Sequence, residues 1–291
     1  MVRYDPKNWW GLIFQFHKSD TFRRLFWIML SIAIFSLIIA YVTHELVGEE
    51  NFRGTTVFHS ILGFVISLLL VFRTNTAYDR WWEGRKLWGG LVNLSRAMSI
   101  KLDAFLAKDD KVNRDNLQFL ISQYPLILKE HLRDKKVPGY FPIDVHQPNY
   151  IATAIIKVFT RMNTEKQLTD NEYLTLIKDV DEYSTICGAC ERIKNTPIPY
   201  SYSLFIKKFI FIYILSMPFA LVMEFHYYTA LIVPFVFYVF ASLELIAEGI
   251  EDPFSTDSDD LPTDQIAINI GISVQEIFTP YVKTSDEEIP V

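Results

Sequence analysis

The side chains in this chain whose types and spacing suggest chemistry most strongly are apolar. Phe64, Leu68 and Phe72 recur at i, i+4 and i+8, which puts them on one stripe of a helix, one per turn. If several copies of the chain turn that stripe toward a common axis, the collars can gate ions by dewetting. Water leaves a narrow apolar bore, and an ion would have to shed its hydration to pass. Spacing alone also fits a stripe packed inside its own subunit, and that alternative stays open. Directly after the stripe come Arg73, Asn75, Asp79 and Arg80, then Trp81, Trp82, Glu83, Arg85, Lys86 and Trp88. With no proline in it and no glycine between Gly63 and Gly84, Val57 to Trp88 reads as one rod running from membrane to cytosol.

Other reactive residues are sparse. Cys187 and Cys190, as CGAC, are the only cysteines. Without a second pair or a strand-to-helix context they read as small packing residues on a helix. Arg80 and Glu83 read as partners for each other or for nearby backbone, with the neighbouring indoles packed between subunits. Glu244 and Glu248 mark either an ion path or bonds to neighbouring helix ends. His59 reads as a hydrogen-bonded interfacial histidine. No HExxH, GxSxG or Walker loop occurs, so an enzyme is not expected. A net charge of −6 gives no reason to expect nucleic acid.

These side chains need membrane helices to position them. The 291 residues are 50% hydrophobic, 15% aromatic and 21% charged, which suits a membrane protein with a substantial soluble part. Uncharged Phe26 to Thr43 can cross a ~30 Å hydrocarbon layer with its flanks. Further apolar runs follow from Val57, Leu204 and Tyr227. The division expected is an interfacial segment at 1–24, transmembrane helices at 25–46, 57–77, 203–224 and 227–250, a helical cytosolic domain at 78–202, and an acidic cytosolic segment at 251–291. Within the domain, helices are expected at 90–106, 116–132, 151–162 and 172–190, with Thr169 and Glu172 forming a capping box. The isoleucines between 266 and 277 fit a strand or a helix equally well. Of 28 Lys and Arg, five lie in residues 1–24 and 19 in residues 73–200, which puts both termini and the domain in the cytoplasm. The loop after the first span has three Glu against one Arg, an acidic mouth if it faces a pore. The two helix pairs do not resemble one another, against a transporter built of repeats.

Four blocks together resemble the bestrophin family, in particular its bacterial branch. They are FRTNTAYDRWWEGRKLWG (72–89), CERIKNTPIPYSY (190–202), SMPFALVMEFHY (216–227) and AEGIEDPFSTDSDDLPTD (247–264). The resemblance implies an all-α membrane protein, four spans per subunit, assembled as a homopentamer around one pore in the inner (plasma) membrane. It implies a hydrophobic neck at Phe64, Leu68 and Phe72 and a cytosolic aperture at Ile198. The implied activity is passive conduction of monovalent ions, with a slight lean to chloride and other anions. A sodium-type cation channel of the same architecture and a non-conducting scaffold or receptor are the alternatives. Eukaryotic members carry a calcium clasp, which here falls on Asp257 and Asp260. Thr256 and Ser258 replace neighbouring acids of that clasp, and thinning the acids weakens a calcium site. The competing reading is an acidic stretch before a helix that starts near Pro262.

Overall fold

A computed structural model describes residues 20–47, 55–139 and 142–279. The N-terminal interfacial segment up to residue 19, the acidic mouth at Glu49, Glu50 and Arg53, and the tail from residue 280 lie outside the described residues. The described residues form helices and turns without strands. They belong to two compact units.

The first unit covers residues up to 81 with 197–252 and 257–259. It contains α1 (Asp20–Val42), continued by a π-helical turn at Thr43–Val47, and the first part of α2 (Thr55–Phe105). It also contains α6 (Tyr200–Phe225) and α7 (Thr229–Glu251). Among the described residues, three stretches are long and apolar enough to cross a membrane: Thr21–Glu45, Val57–Phe105 and Tyr200–Glu251. The third holds both α6 and α7, separated by a single turn at His226–Tyr228. There His226 takes φ 49° and its N–H bonds Val222 O. With ψ −130° this lies outside the αL basin, in a positive-φ conformation that non-glycine residues rarely adopt, and the reversal lets α7 pack back on α6 and on α1. The core consists of Ile66 and Leu70 from α2, Ile206, Ile210, Tyr213, Ile214 and Met217 from α6, and Val233 from α7. Where α2 meets α6, a Cβ at Gly63 would lie 2.6 Å from the Tyr213 hydroxyl, so a larger residue there needs that side chain to shift.

The second unit takes residues 82–196, 253–256 and 260 onward. It contains the rest of α2, then α3 (Lys111–Leu132), α4 (Gln147–Thr164), α5 (Asp170–Asn195) and α8 (Thr263–Phe278). The helix expected to start at Gly90 is the continuation of α2: no cap or proline interrupts the 51 residues. Two helices start earlier than their apolar spacing suggests, because polar caps set their ends. Asp110 accepts from the Asn113 N–H ahead of α3, and His146 from the Asn149 N–H ahead of α4. The capping box at Thr169 and Glu172 is formed.

Segment 263–278 is helical. Its buried residues Ala267, Ile270, Val274 and Phe278 fall at spacings of three and four, while Ile268 and Ile272 are each half exposed. Alternation would have put Ile266, Ile268, Ile270 and Ile272 on a single face. The four buried side chains instead make one helical stripe, which packs on α3.

Candidate functional site: the exposed stripe and buried charge of α2

On α2, two residues correspond to about 200° of rotation, so alternate residues lie on nearly opposite sides. Phe64, Leu68 and Phe72 are 70%, 45% and 55% exposed, whereas Ile66 and Leu70 are each 1% exposed. The stripe is therefore not the packed side of the helix within its own chain. Toward the C-terminus the exposed side becomes polar at Asn75, Thr76 and Asp79. The buried side passes from Leu70 to Arg73 and Ala77.

Arg73 is buried between two carboxylates of α7. Its Nη2 donates to Glu251 Oε2 at 2.7 Å, and its Nε lies 3.5 Å from Glu244 Oε2. The same Glu251 accepts the Ile198 N–H at 2.7 Å on Oε1, and its backbone carbonyl accepts from Arg80 Nε at 3.0 Å. One acidic residue thus holds α2 at two points and fixes the turn before α6. Among the described residues, Arg73 Nε and Nη1 and both Glu244 oxygens are buried without a hydrogen-bond partner, so the Glu251 bond and the nearby Glu244 charge offset the lost hydration only in part. In sequence, Arg73 is marked only as the first charge after the apolar stripe and Glu251 only as the start of the acidic segment. The available signal was an arginine ending an apolar run, with acids spaced at i and i+7 in another. Glu248, the other acid considered at this end, bonds Lys207 at 3.0 Å.

Ile198 is buried against Ala77 and Ala247 within the chain. His59 Nε2 is 3.0 Å from the Ser216 hydroxyl, the bonded state expected of it. Trp81 Nε1 donates to the Asp259 carbonyl at 3.0 Å. In the second unit, Glu83 accepts from Arg192 Nη2 at 2.6 Å. Cys187 and Cys190 are buried free thiols. Burial pushes the Cys187 thiol up to about 12 and raises Cys190 as well, so both stay protonated and unreactive at neutral pH.

Asp257 is exposed and Asp260 buried. Among the described residues, neither belongs to a group of three or more His, Cys, Asp or Glu ligand atoms gathered within 4.8 Å. Two carboxylates fall short of the six to eight oxygens that calcium takes. The neighbouring Asp264 has a structural partner: Arg133 bonds it through Nη1 at 3.0 Å and Nη2 at 2.7 Å, with Lys129 Nζ at 2.8 Å. Those bonds, the Arg133 pair foremost, hold its carboxyl well below the usual range.

Helical units, apolar segments of spanning length and a buried charge beside an exposed apolar stripe define an all-helical membrane protein rather than a soluble bundle. The family model described as Bacterial/Fungal Bestrophin protein matches residues 1–276. The chain belongs to the bacterial bestrophin family. It is similar to the voltage-dependent anion channel-forming protein YneE of Escherichia coli K12, with 30% identity over 95% of this chain and 94% of that one. A voltage-dependent anion channel-forming protein of Synechocystis is 32% identical over 73% of this chain and 74% of its own. A bestrophin homolog from Klebsiella pneumoniae matches in structure with a TM-score of 0.79 at 25% identity, covering 86% of this chain and 97% of that one.

Proposed function

We propose that the chain is one subunit of a homopentameric channel in the inner membrane that conducts monovalent ions passively and favours anions. In this reading each subunit crosses four times, α6 and α7 being separate crossings, with both termini cytoplasmic. Five copies of α2 turn Phe64, Leu68 and Phe72 toward the axis and form a neck that conducts when wetted. The observation that carries the reading is the contrast on α2: Ile66 and Leu70 are 1% exposed, while the stripe on the other side is 45–70% exposed. An apolar face left without a partner in its own chain meets lipid or another subunit, and its continuation into Asn75, Thr76 and Asp79 suits a water-filled path better than lipid. Arg73, anchored by Glu251, keeps the helix from rotating. Through the Ile198 N–H the same carboxylate couples the neck helix to the turn proposed as the cytosolic aperture. Anion preference rests on the names of the relatives, since an apolar neck does not choose a sign by itself.

Reconstitution into liposomes and planar bilayers tests this. Passive flux is expected, with reversal potentials in asymmetric NaCl on the chloride side. Phe72→Ala is expected to raise conductance or open probability severalfold. Unchanged currents in Phe64→Ala, Leu68→Ala and Phe72→Ala would remove the stripe from the pore. Reversal on the sodium side would turn the reading to a cation channel, and silence under all conditions to a scaffold or receptor. A chelator arm compared with Asp257→Asn and Asp260→Asn addresses calcium.

A further inference from the structure

In the second unit, away from α2's stripe, three helices bring two imidazoles and a carboxylate to one point. His131 stands in the last turn of α3, His146 is the N-cap of α4, and Glu191 lies on α5. Glu191 Oε1 is 2.6 Å from His131 Nε2 and 2.6 Å from His146 Nε2, and the two rings are 4.3 Å apart between centroids. All three ligand atoms lie within 4.8 Å of one another. The side chains are 22%, 34% and 30% exposed, so an ion can reach them from solvent.

We propose that His131, His146 and Glu191 form a binding site for a borderline divalent transition metal, zinc foremost, that clamps α3, α4 and α5 together. Two imidazole nitrogens and one carboxylate oxygen are a donor set for zinc, cobalt or nickel, whereas calcium and magnesium want oxygen. Zinc binds nitrogen and oxygen at about 2.0–2.2 Å, so the ion replaces the two short N–H···O bonds once the side chains spread by a fraction of an ångström. Each Nε2 then offers its lone pair instead of a proton, the His131 proton moving to its own Nδ1 or to solvent. For His146 the displaced proton moves to Nδ1, which now accepts from the Asn149 N–H at 3.2 Å, so metal binding gives up that cap bond. Three protein ligands leave a fourth position to water or a small anion. Lys194 is a nearby cation that opposes an added charge; its ammonium donates to Asp134 at 2.5 Å, which partly neutralises it, and to the His131 carbonyl at 3.5 Å.

The untagged full-length protein in detergent, stripped with chelator, is titrated with zinc against a fluorescent indicator, and separately with cobalt for its ligand-field absorption. One tight zinc per chain is expected, with a rise in thermal unfolding temperature. His131→Asn and Glu191→Gln are expected to weaken it at least about tenfold, on the scale of losing groups that hold a metal site together. His146→Asn retains a side-chain cap for α4 while removing the imidazole, so its loss of zinc reads out ligation rather than folding. Equal zinc affinity in the parent and all three variants would overturn the site. So would cobalt spectra unchanged between the parent and His146→Asn, or no zinc bound by a parent that still unfolds cooperatively.

Discussion

The two ends of α2 live under different rules. In the first unit Phe64, Leu68 and Phe72 stand exposed, while in the second Trp88, Leu91, Met98 and Leu102 are wholly buried. Large apolar side chains leave water wherever they can, so the second unit hides them and holds its helix ends with polar caps. In the first unit the stripe is left uncovered within its own chain, and what is hidden there is charge. Arg73, with Glu244 and Glu251, is buried there in addition to the apolar core around Ile66 and Leu70.

The comparison can be broken most decisively at Arg73. Arg73→Ala leaves two acids facing each other without a cation and is expected to cost about 3–5 kcal/mol, read as loss of folded protein by thermal melting in detergent, with Glu251→Gln milder. Three leucines sharpen it further. Leu117 in the second unit is wholly buried, and Leu117→Ala is expected to cost about 2–5 kcal/mol. Leu70 is as deeply packed, but its lipid-side reference lacks most of the water-transfer part, so Leu70→Ala is expected to cost roughly 1–2 kcal/mol. Leu68→Ala, on the exposed stripe, is expected to stay within about 0.5 kcal/mol while altering currents. Equal losses at Leu68 and Leu70 would erase the distinction between the two faces.

The smallest expected effect is an acid limb confined to the second unit. Burial lowers the His131 imidazole from 6.5. Burial alone would raise Glu191, but its bonds from His146 and His131 outweigh that and lower it from 4.5. Asp264 is lowered from 3.8 by Arg133. All three are depressed, so the unfolded chain binds more protons and their stabilisation is lost as pH falls, first below 6.5 for the histidine, then below 4.5 for Glu191 and below 3.8 for Asp264. Asp264→Asn should flatten the lower part of a melting-temperature profile between about pH 6 and pH 3. An unchanged profile would deny Asp264 that role.

Much of the helical layout is legible from residue order. An uncharged run of membrane length, apolar spacings of three and four, and Thr169 three residues ahead of Glu172 are local facts about local structure. The start of α4 escaped because a histidine cap with proline behind it carries no apolar signal. The strand-or-helix ambiguity at 266–277 escaped because both periods fit the same isoleucines, until packing against α3 chose one.

The order of residues by itself determined that Phe64, Leu68 and Phe72 share a stripe, that long apolar helices exist, and that four motif blocks place the chain among bacterial bestrophins. Tertiary structure alone decided which side of α2 is packed and which carboxylates hold Arg73. It also decided that residues 131, 146 and 191 meet at one point. Helical periodicity fixes which side chains share a face, but what a face touches depends on chain segments far away in sequence, and that information is nonlocal.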